Sequence, residues 1–279
     1  MSNYLSQQQI NQIFQLAIES GEVAKQFFLK NNFEIFNKND GSKVSSADIE
    51  ISKLIQQKIS QIAPNIPIVC EEGEVRDFDD EMFFLIDPID GTSSFINNNV
   101  EFCINIALIK NRKPIFGLIY APLFEGGKMI FNNHQNQLAL YNHDENKNFI
   151  LNKNIFNKNY LSIITSSRTK DEDVKNYVQK FYPQFIDNYQ VEKLSSAIKF
   201  FRIIEGEANL YLHFRKSMEW DTASGHILID LFGANLKTLK YNDFEFFWVK
   251  SCIIKKIILL MVLSLSLNNF LKKWLENLV

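Results

Sequence analysis

The sequence predicts an α+β fold in which helices pack on sheets. Three observations lead there. Two long stretches near the start repeat their apolar residues at helical spacing; five short β-rich segments follow between residues 83 and 141; beyond residue 160, strand-like and helix-like stretches alternate. A chain of 279 residues, 46% hydrophobic and 22% charged, has ordinary globular composition. Its length calls for one large domain or two packed lobes.

Residues 6–30 read as an amphipathic helix. Ser6 followed by Gln9 resembles a capping box, and Ile10, Ile13, Phe14, Ala17, Gly21, Ala24, Phe27 and Phe28 form one apolar face. A second helix is expected over 46–62, with Ile51, Leu54, Ile55, Ile59 and Ile62 buried. Between them, "NKNDGSKVSSAD" carries turn residues without apolar periodicity. The segments "FFLI", "FCINIALI", "PIFGLIY", "KMIF" and "QLALY", separated by Asn, Gly and Pro, predict an antiparallel sheet. The polar stretch 142–159 marks a lobe boundary, giving an N-terminal α+β lobe over 1–150 and a C-terminal α/β lobe over 151–240. In the second lobe come "LSIITSS", a helix over 171–181, "AIKFFRIIEG", "ANLYLHF" and a helix from about 222 to 232.

Bulk chemistry narrows the function. The net charge is −2 and there is no long basic block, so nucleic acid is not an expected partner, although a small phosphorylated nucleotide is compatible. Cys70, Cys103 and Cys252 are an odd set without close pairing, which reads as buried thiols in a reducing compartment. His134, His143, His213 and His226 show no zinc-ligand spacing. The first residues have no basic region followed by an apolar run, so a cytoplasmic location is expected.

The chemistry concentrates in Asp87-Pro88-Ile89-Asp90-Gly91-Thr92. An apolar run ends in two carboxylates with a carbonyl between them, hard oxygen ligands that suit magnesium. Gly91 lets a ligand approach the backbone, and a helix starting near Thr92 would present N–H groups to phosphate. An acidic turn capping the next helix is the plainer explanation of this hexapeptide alone. Glu71 and Glu72 close another apolar run in "PIVCEEGE", and Asp221 stands where a helix begins, as an ordinary N-cap would.

Together, "FLIDPIDGTSSFIN" and "WDTASGHILIDLFGA" resemble, in the expected order, two signature motifs of the magnesium-dependent, lithium-sensitive inositol monophosphatase superfamily. "GSKVSSAD" and "CEEGE" stand where that family has a threonine-partner aspartate and a first metal glutamate. The resemblance runs from about residue 6 to about 240. It implies a layered α/β/α/β/α sandwich of the inositol monophosphatase/fructose-1,6-bisphosphatase type. "VEFCINIALI" and "SSAIKFFRIIEG" resemble segments of the bacterial CysQ branch, 3′(2′),5′-bisphosphate nucleotidases that remove the 3′-phosphate of adenosine 3′,5′-bisphosphate in sulfur metabolism.

The resemblance implies that Glu71, Asp87, the Ile89 carbonyl, Asp90 and Asp221 hold two or three magnesium ions. It places Thr92, hydrogen-bonded to Asp48, at the attacking water, Glu72 at a second water, and the N–H groups of Gly91 and Thr92 at the phosphate. Ser195, Ser196 and Lys199 fall where the branch contacts the rest of its substrate, and Arg168 matches a further segment. For Lys199 a solvated charge beside a strand is the equal alternative; His226 reads as a helix-face residue. The family usually has proline at Lys43 and glycine at Leu194, and the leucine is expected to crowd the loop before Ser195. An inositol monophosphatase is the runner-up activity. A catalytically impaired nucleotide- or metal-binding protein is the alternative of another class.

After Leu239 the sequence no longer resembles that family, so 241–279 is an atypical tail. Its apolar stretch 257–267 falls well short of the ~20 residues of a membrane-spanning helix but suits a peripheral surface helix. A shifted reading frame is another explanation, because AT-rich codons for Leu259 through Ser266 can encode Ile-Asn-Gly-Ser-Phe-Ile-Val in another frame. A lost final strand would leave an unpaired sheet edge.

Overall fold

Ser6 caps the first helix, α1 (Gln7–Lys30), through the reciprocal hydrogen bonds of a capping box with Gln9. A short antiparallel hairpin follows, β1 (Ile35–Asn37) with β2 (Lys43–Ser45). A second capping box, Ser45 with Asp48, starts α2 (Ser46–Ile62). The computed structural model describes residues 4–38, 40–73, 81–151, 160–215, 217–236 and 253–254.

The chain then builds a seven-stranded sheet from β3 (Ile68–Cys70), β4 (Met82–Asp90), β5 (Cys103–Lys110), β6 (Lys113–Ala121), β7 (Lys128–Asn132), β8 (Leu138–Asn142) and β9 (Lys147–Ile150), in that spatial order. A one-turn helix, α3 (Thr92–Ile96), sits between β4 and β5. From β4 to β9 every pairing is antiparallel; β3 joins β4 in parallel. β9 lies inside the polar stretch 142–159, so pairing at the sheet edge overrides its weak strand pattern.

The remaining described elements are β10 (Leu161–Ser166), α4 (Asp171–Phe181), β11 (Tyr189–Leu194), α5 (Lys199–Ile204), β12 (Leu210–Leu212), β13 (Ser217–Met218), α6 (Ala223–Phe232) and β14 (Ile253–Ile254). Strands β11, β10 and β12 form a parallel three-stranded sheet. "AIKFFRIIEG" folds as helix α5, burying Phe200, Phe201, Ile203 and Ile204.

Alternation along the strands sets the layers. Phe84, Ile86, Ile104, Ile106, Leu118 and Tyr120 pack against α1 and α2. Their neighbours Phe83, Leu85, Ala107, Ile109 and Ile119 pack on the opposite face against α5 and α6. Ile164 and Tyr211 of the small sheet join that second cluster, while Leu161, Ile163, Leu210 and Leu212 face Val174, Tyr177 and Val178 of α4. The order is therefore α1α2, large sheet, α5α6, small sheet, α4: the α/β/α/β/α sandwich expected. Each fully buried large side chain contributes about 1.5–3 kcal/mol, so both faces of the large sheet are committed to the core.

β14 pairs antiparallel with β13, Ser217 opposite Ile254. The atypical tail, its suggested surface helix and its suggested frame change otherwise lie outside the described residues. No helix among the described residues is long and apolar enough to cross a membrane. Cys70 and Cys103 are buried free thiols; Cys252 lies outside the described residues.

Candidate active site

The end of β4 does not turn away from the sheet, as its Asp-Pro and Asp-Gly pairs suggest, but stays in it through Asp90. Asp87 pairs with Asn105 and Asp90 with Cys103, so three steps on β4 oppose two on β5. In a regular strand, side chains three apart face opposite sides. The extra residue of this bulge returns Asp90 to the side of Asp87. Pro88 has no N–H to lose from the ladder, which makes it compatible with the irregularity. Ile89 stays 1% exposed in the core, and its N–H donates to Asp87 Oδ1 at 3.1 Å.

Asp221 arrives from the segment between β13 and α6. It ends a 3₁₀ turn, Glu219–Asp221, and its carboxylate reaches back to accept from Ser217 Oγ at 2.7 Å and Met218 N at 2.8 Å. The N-cap position of α6 belongs to Thr222, so Asp221 is not the ordinary helix cap its position suggested. Carboxylate oxygens of Asp87, Asp90 and Asp221 all lie within 4.8 Å of one another.

Glu71 follows from the parallel pairing of β3 with β4. Cys70 lies opposite Ile86, and Glu71 N donates to Ile86 O at 3.0 Å, one step from Asp87. Its carboxylate meets Lys38 Nζ at 2.9 Å, and the same ammonium lies 2.5 Å from Glu72 Oε1. Thr92 Oγ1 lies 3.0 Å from Asp48 Oδ1 and 3.1 Å from the Ile89 carbonyl. The α2 capping box holds the other oxygen of Asp48, through Ser45 N at 2.8 Å and Ser45 Oγ at 2.5 Å.

Crowding and burial disfavour the ionised forms of this cluster. Burial raises Asp87 well above the carboxylate range, and Glu71, Asp90 and Asp221 add to it. Burial also raises Asp90, against the opposing charge of Lys199. Asp221 is pushed up to about 7 by burial, then by Asp90 and Glu71. Glu72 is pushed up to about 7, chiefly by burial, with the Lys38 contact opposing. Buried oxygen donors that repel one another fit a divalent cation, which would let them ionise together.

Next to the cluster opens a cavity of about 250 Å³, whose lining includes Gly91, Thr92, Arg168, Ser195, Ser196, Lys199, His213 and Arg215. Ala197 N donates to Asp90 Oδ2 at 2.6 Å, tying the loop after β11 to the acidic site. Ser195 N donates to Glu101 Oε2 at 2.8 Å, and its hydroxyl lies 3.0 Å from that of Ser167. Lys199 is not a solvated charge: it is 4% exposed, bonded to the Ser196 and Leu194 carbonyls, and burial lowers its ammonium. Leu194 ends β11 inside the core, and Ser196 takes a positive φ of 52°. His226 lies on α6 with Nε2 3.4 Å from Asp230.

Sequence reasoning missed Lys38, Ser217, Glu101 and the supporting role of Asn105, whose amide donates to Asp90 Oδ2 at 3.2 Å. Asn105 carried a usable signal, a polar residue inside the apolar run "CINIALI". Ser217, four before Asp221, carried a weaker one.

Known proteins share this arrangement of sequence. The pattern of the inositol monophosphatase family matches residues 6–257. The chain belongs to that family. The match reaches past Leu239, where resemblance read from the sequence alone faded. The 3′(2′),5′-bisphosphate nucleotidase CysQ of Salmonella typhimurium is 32% identical over 255 residues, covering 85% of this chain and 96% of that protein. CysQ of Escherichia coli K12 is 30% identical over 254 residues, with the same coverage. Among solved structures, CysQ from Bacteroides thetaiotaomicron superimposes with a TM-score of 0.72 at 21% identity, covering 91% of this chain and 97% of that one. A lithium-soaked staphylococcal inositol monophosphatase-1 gives 0.74 at 17% identity, covering 96% and 94%. These likenesses place the fold in the family.

Proposed function

We propose that this protein is a magnesium-dependent phosphomonoesterase that hydrolyses the 3′-phosphate of adenosine 3′,5′-bisphosphate to AMP and phosphate. The observation that carries the reading is the convergence of Asp87, Asp90 and Asp221 beside Glu71 at the mouth of a basic cavity. The nucleotide preference draws support from the CysQ relatives, about 30% identical over most of the chain. Arg168 and Arg215 on the cavity lining offer positive charge for a second phosphate.

In this reading Glu71, Asp87, the Ile89 carbonyl, Asp90 and Asp221 would hold two or three magnesium ions, which would supply Lewis acidity for the attacking water and positive charge for the leaving oxygen. The N–H groups of Gly91 and Thr92 hold the phosphate in line. Thr92, fixed by Asp48, orients the water and passes its proton toward the Asp48 carboxylate. Oxygen attacks phosphorus, the P–O3′ bond breaks, and the 3′-oxygen takes a proton from a second water held by Glu72; the hydroxide so formed is neutralised by the proton left on Asp48, which restores both groups. Ser195, Ser196 and Lys199 shape the wall that receives the nucleotide. The reading includes lithium inhibition, a cytoplasmic location and a lobe division near residue 150.

The test measures phosphate release from adenosine 3′,5′-bisphosphate and inositol 1-phosphate under the same magnesium, with wild type and Asp90→Asn. A preference for the nucleotide and at least a ~100-fold loss in the variant are expected. Preference for inositol phosphate overturns the nucleotidase reading. A folded, magnesium-loaded wild type that releases phosphate from neither overturns turnover altogether.

A further inference from the structure

Strand β5 reads "CINIALIK", and one amide interrupts its core run: Asn105, 0% exposed. Asparagine is a poor strand former, and a buried amide is unfavourable unless its hydrogen bonds are made, so packing alone would put an aliphatic residue there. Its partners account for it. Asn105 Nδ2 donates to Asp90 Oδ2 at 3.2 Å and, over a longer contact, to the Trp220 carbonyl at 3.5 Å. A carboxylate and a carbonyl only accept, which fixes the nitrogen of the amide on this side. Its oxygen accepts the weak donor Cys103 Sγ at 3.6 Å. Across the β4–β5 ladder, Asn105 lies opposite Asp87.

One side chain is therefore in register with Asp87, bonded to Asp90 and bonded to the residue just before Asp221. The charges of these three carboxylates oppose one another, so something must hold the Asp221 turn against the end of β4 before a cation arrives. An ammonium in this place would also repel the cation, whereas an amide donates without adding charge. Asp90 Oδ2 accepts from Ala197 N at 2.6 Å as well, so two protein donors occupy that oxygen and Oδ1 is left for a cation. We propose that Asn105 is a positioning residue of the metal centre: its amide ties the Asp90 carboxylate to the turn carrying Asp221 and sets the spacing at which the acidic cluster receives a cation. This rests on the metal reading given above.

The experiment titrates the full chain with Mn²⁺ by calorimetry, for wild type, Asn105→Leu, Asn105→Ser, Asn132→Leu and Asp90→Asn, with metal-free melting of each. Asn132 is the control: it is 3% exposed, and its amide accepts from Gly117 N at 2.8 Å and donates to the Ile115 carbonyl at 3.2 Å, with no bond to the acidic cluster. Both Asn105 variants should bind Mn²⁺ 10–100-fold more weakly, the usual effect of losing a group that orients a metal ligand. Asn132→Leu should melt lower than wild type yet bind Mn²⁺ as wild type does. Asn105→Ser leaves space instead of filling it, which covers a leucine variant that does not fold. In ¹⁵N-labelled wild type, where folding is not at issue, Mg²⁺ should slow hydrogen exchange of the Asn105 side-chain amide and leave that of Asn132 unchanged. A loss below tenfold in an Asn105 variant with wild-type circular dichroism overturns the proposal. So does an equal loss in Asn132→Leu, or an Asn105 amide indifferent to Mg²⁺. Wild type that takes up no Mn²⁺, or Asp90→Asn that binds it like wild type, overturns the metal reading itself, a separate failure.

Discussion

Replacing Gly91 with alanine tests how the backbone joins Asp90 to Thr92. Gly91 has φ +91°, and a Cβ there would lie 2.8 Å from the Glu101 carbonyl oxygen, 3.1 Å from Ser196 Cβ and 3.4 Å from Phe102 Cα. Left-handed backbone costs a non-glycine residue roughly 1–2 kcal/mol. The contact with a backbone oxygen cannot be relieved by a side-chain rotation, and overpacking of this kind costs about 1–3 kcal/mol more. The expected loss is about 3 kcal/mol. Gly41 supplies the control, with φ +83° and nothing within 4 Å of the point where an alanine methyl would stand. Gly41→Ala should lose only the backbone part, about 1 kcal/mol. At ~2–4 °C per kcal/mol for a chain of this size, melting should fall by about 6–12 °C for Gly91→Ala and about 2–4 °C for Gly41→Ala. Equal shifts in the two variants, followed by calorimetry, would refute the claim that Glu101 and Ser196 close on this residue.

Further outcomes follow from the same structure. Thr92→Val should leave melting within about 2 °C of wild type while kcat falls ~10²–10⁴-fold; Asp48→Asn should lose kcat as well and about 2 kcal/mol of urea stability, because Ser45 and Thr92 lose a charged acceptor. Mn²⁺ at about a hundred times its dissociation constant should stabilise wild type by ~2.7 kcal/mol, read as a rise in melting temperature, and Asp90→Asn should show little of it. Arg202 meets Glu125 at 2.7 Å, Glu207 at 2.9 Å and Glu192 at 3.1 Å, and stacks over Phe124, joining α5 to the turn before β7. Arg202→Met should cost about 2 kcal/mol in urea unfolding, and Arg202→Lys should recover only part because an ammonium cannot reproduce the fork.

Local patterns made much of this fold legible. Ser6 with Gln9 and the apolar spacing after them locate α1, and Ser45 starts α2 where the periodicity begins. The capping signals are contained within one turn of helix, so a single sequence displays them. The bulge at Pro88-Ile89 depends on the pairing of β4 with β5, whose Cys103 and Asn105 follow α3 and its loop, and it reads locally as a turn. Likewise the burial of Lys199 depends on Asp90 and Tyr211, which reach it only in the folded chain. Asp221 looked like an N-cap because the residues that bind it, Ser217 and Met218, precede it rather than follow it. The acidic residues themselves were visible as abrupt charges ending apolar runs, whereas Lys38 sat among turn residues with nothing to mark its reach.

Anomalous diffraction from crystals grown with Mn²⁺ tests the proposed metal centre most directly. Density peaks are predicted among Asp87, Asp90 and Asp221, with carboxylate oxygens at roughly 2 Å and Glu71 contributing a ligand. An active protein whose crystals place no ion against these side chains would contradict it.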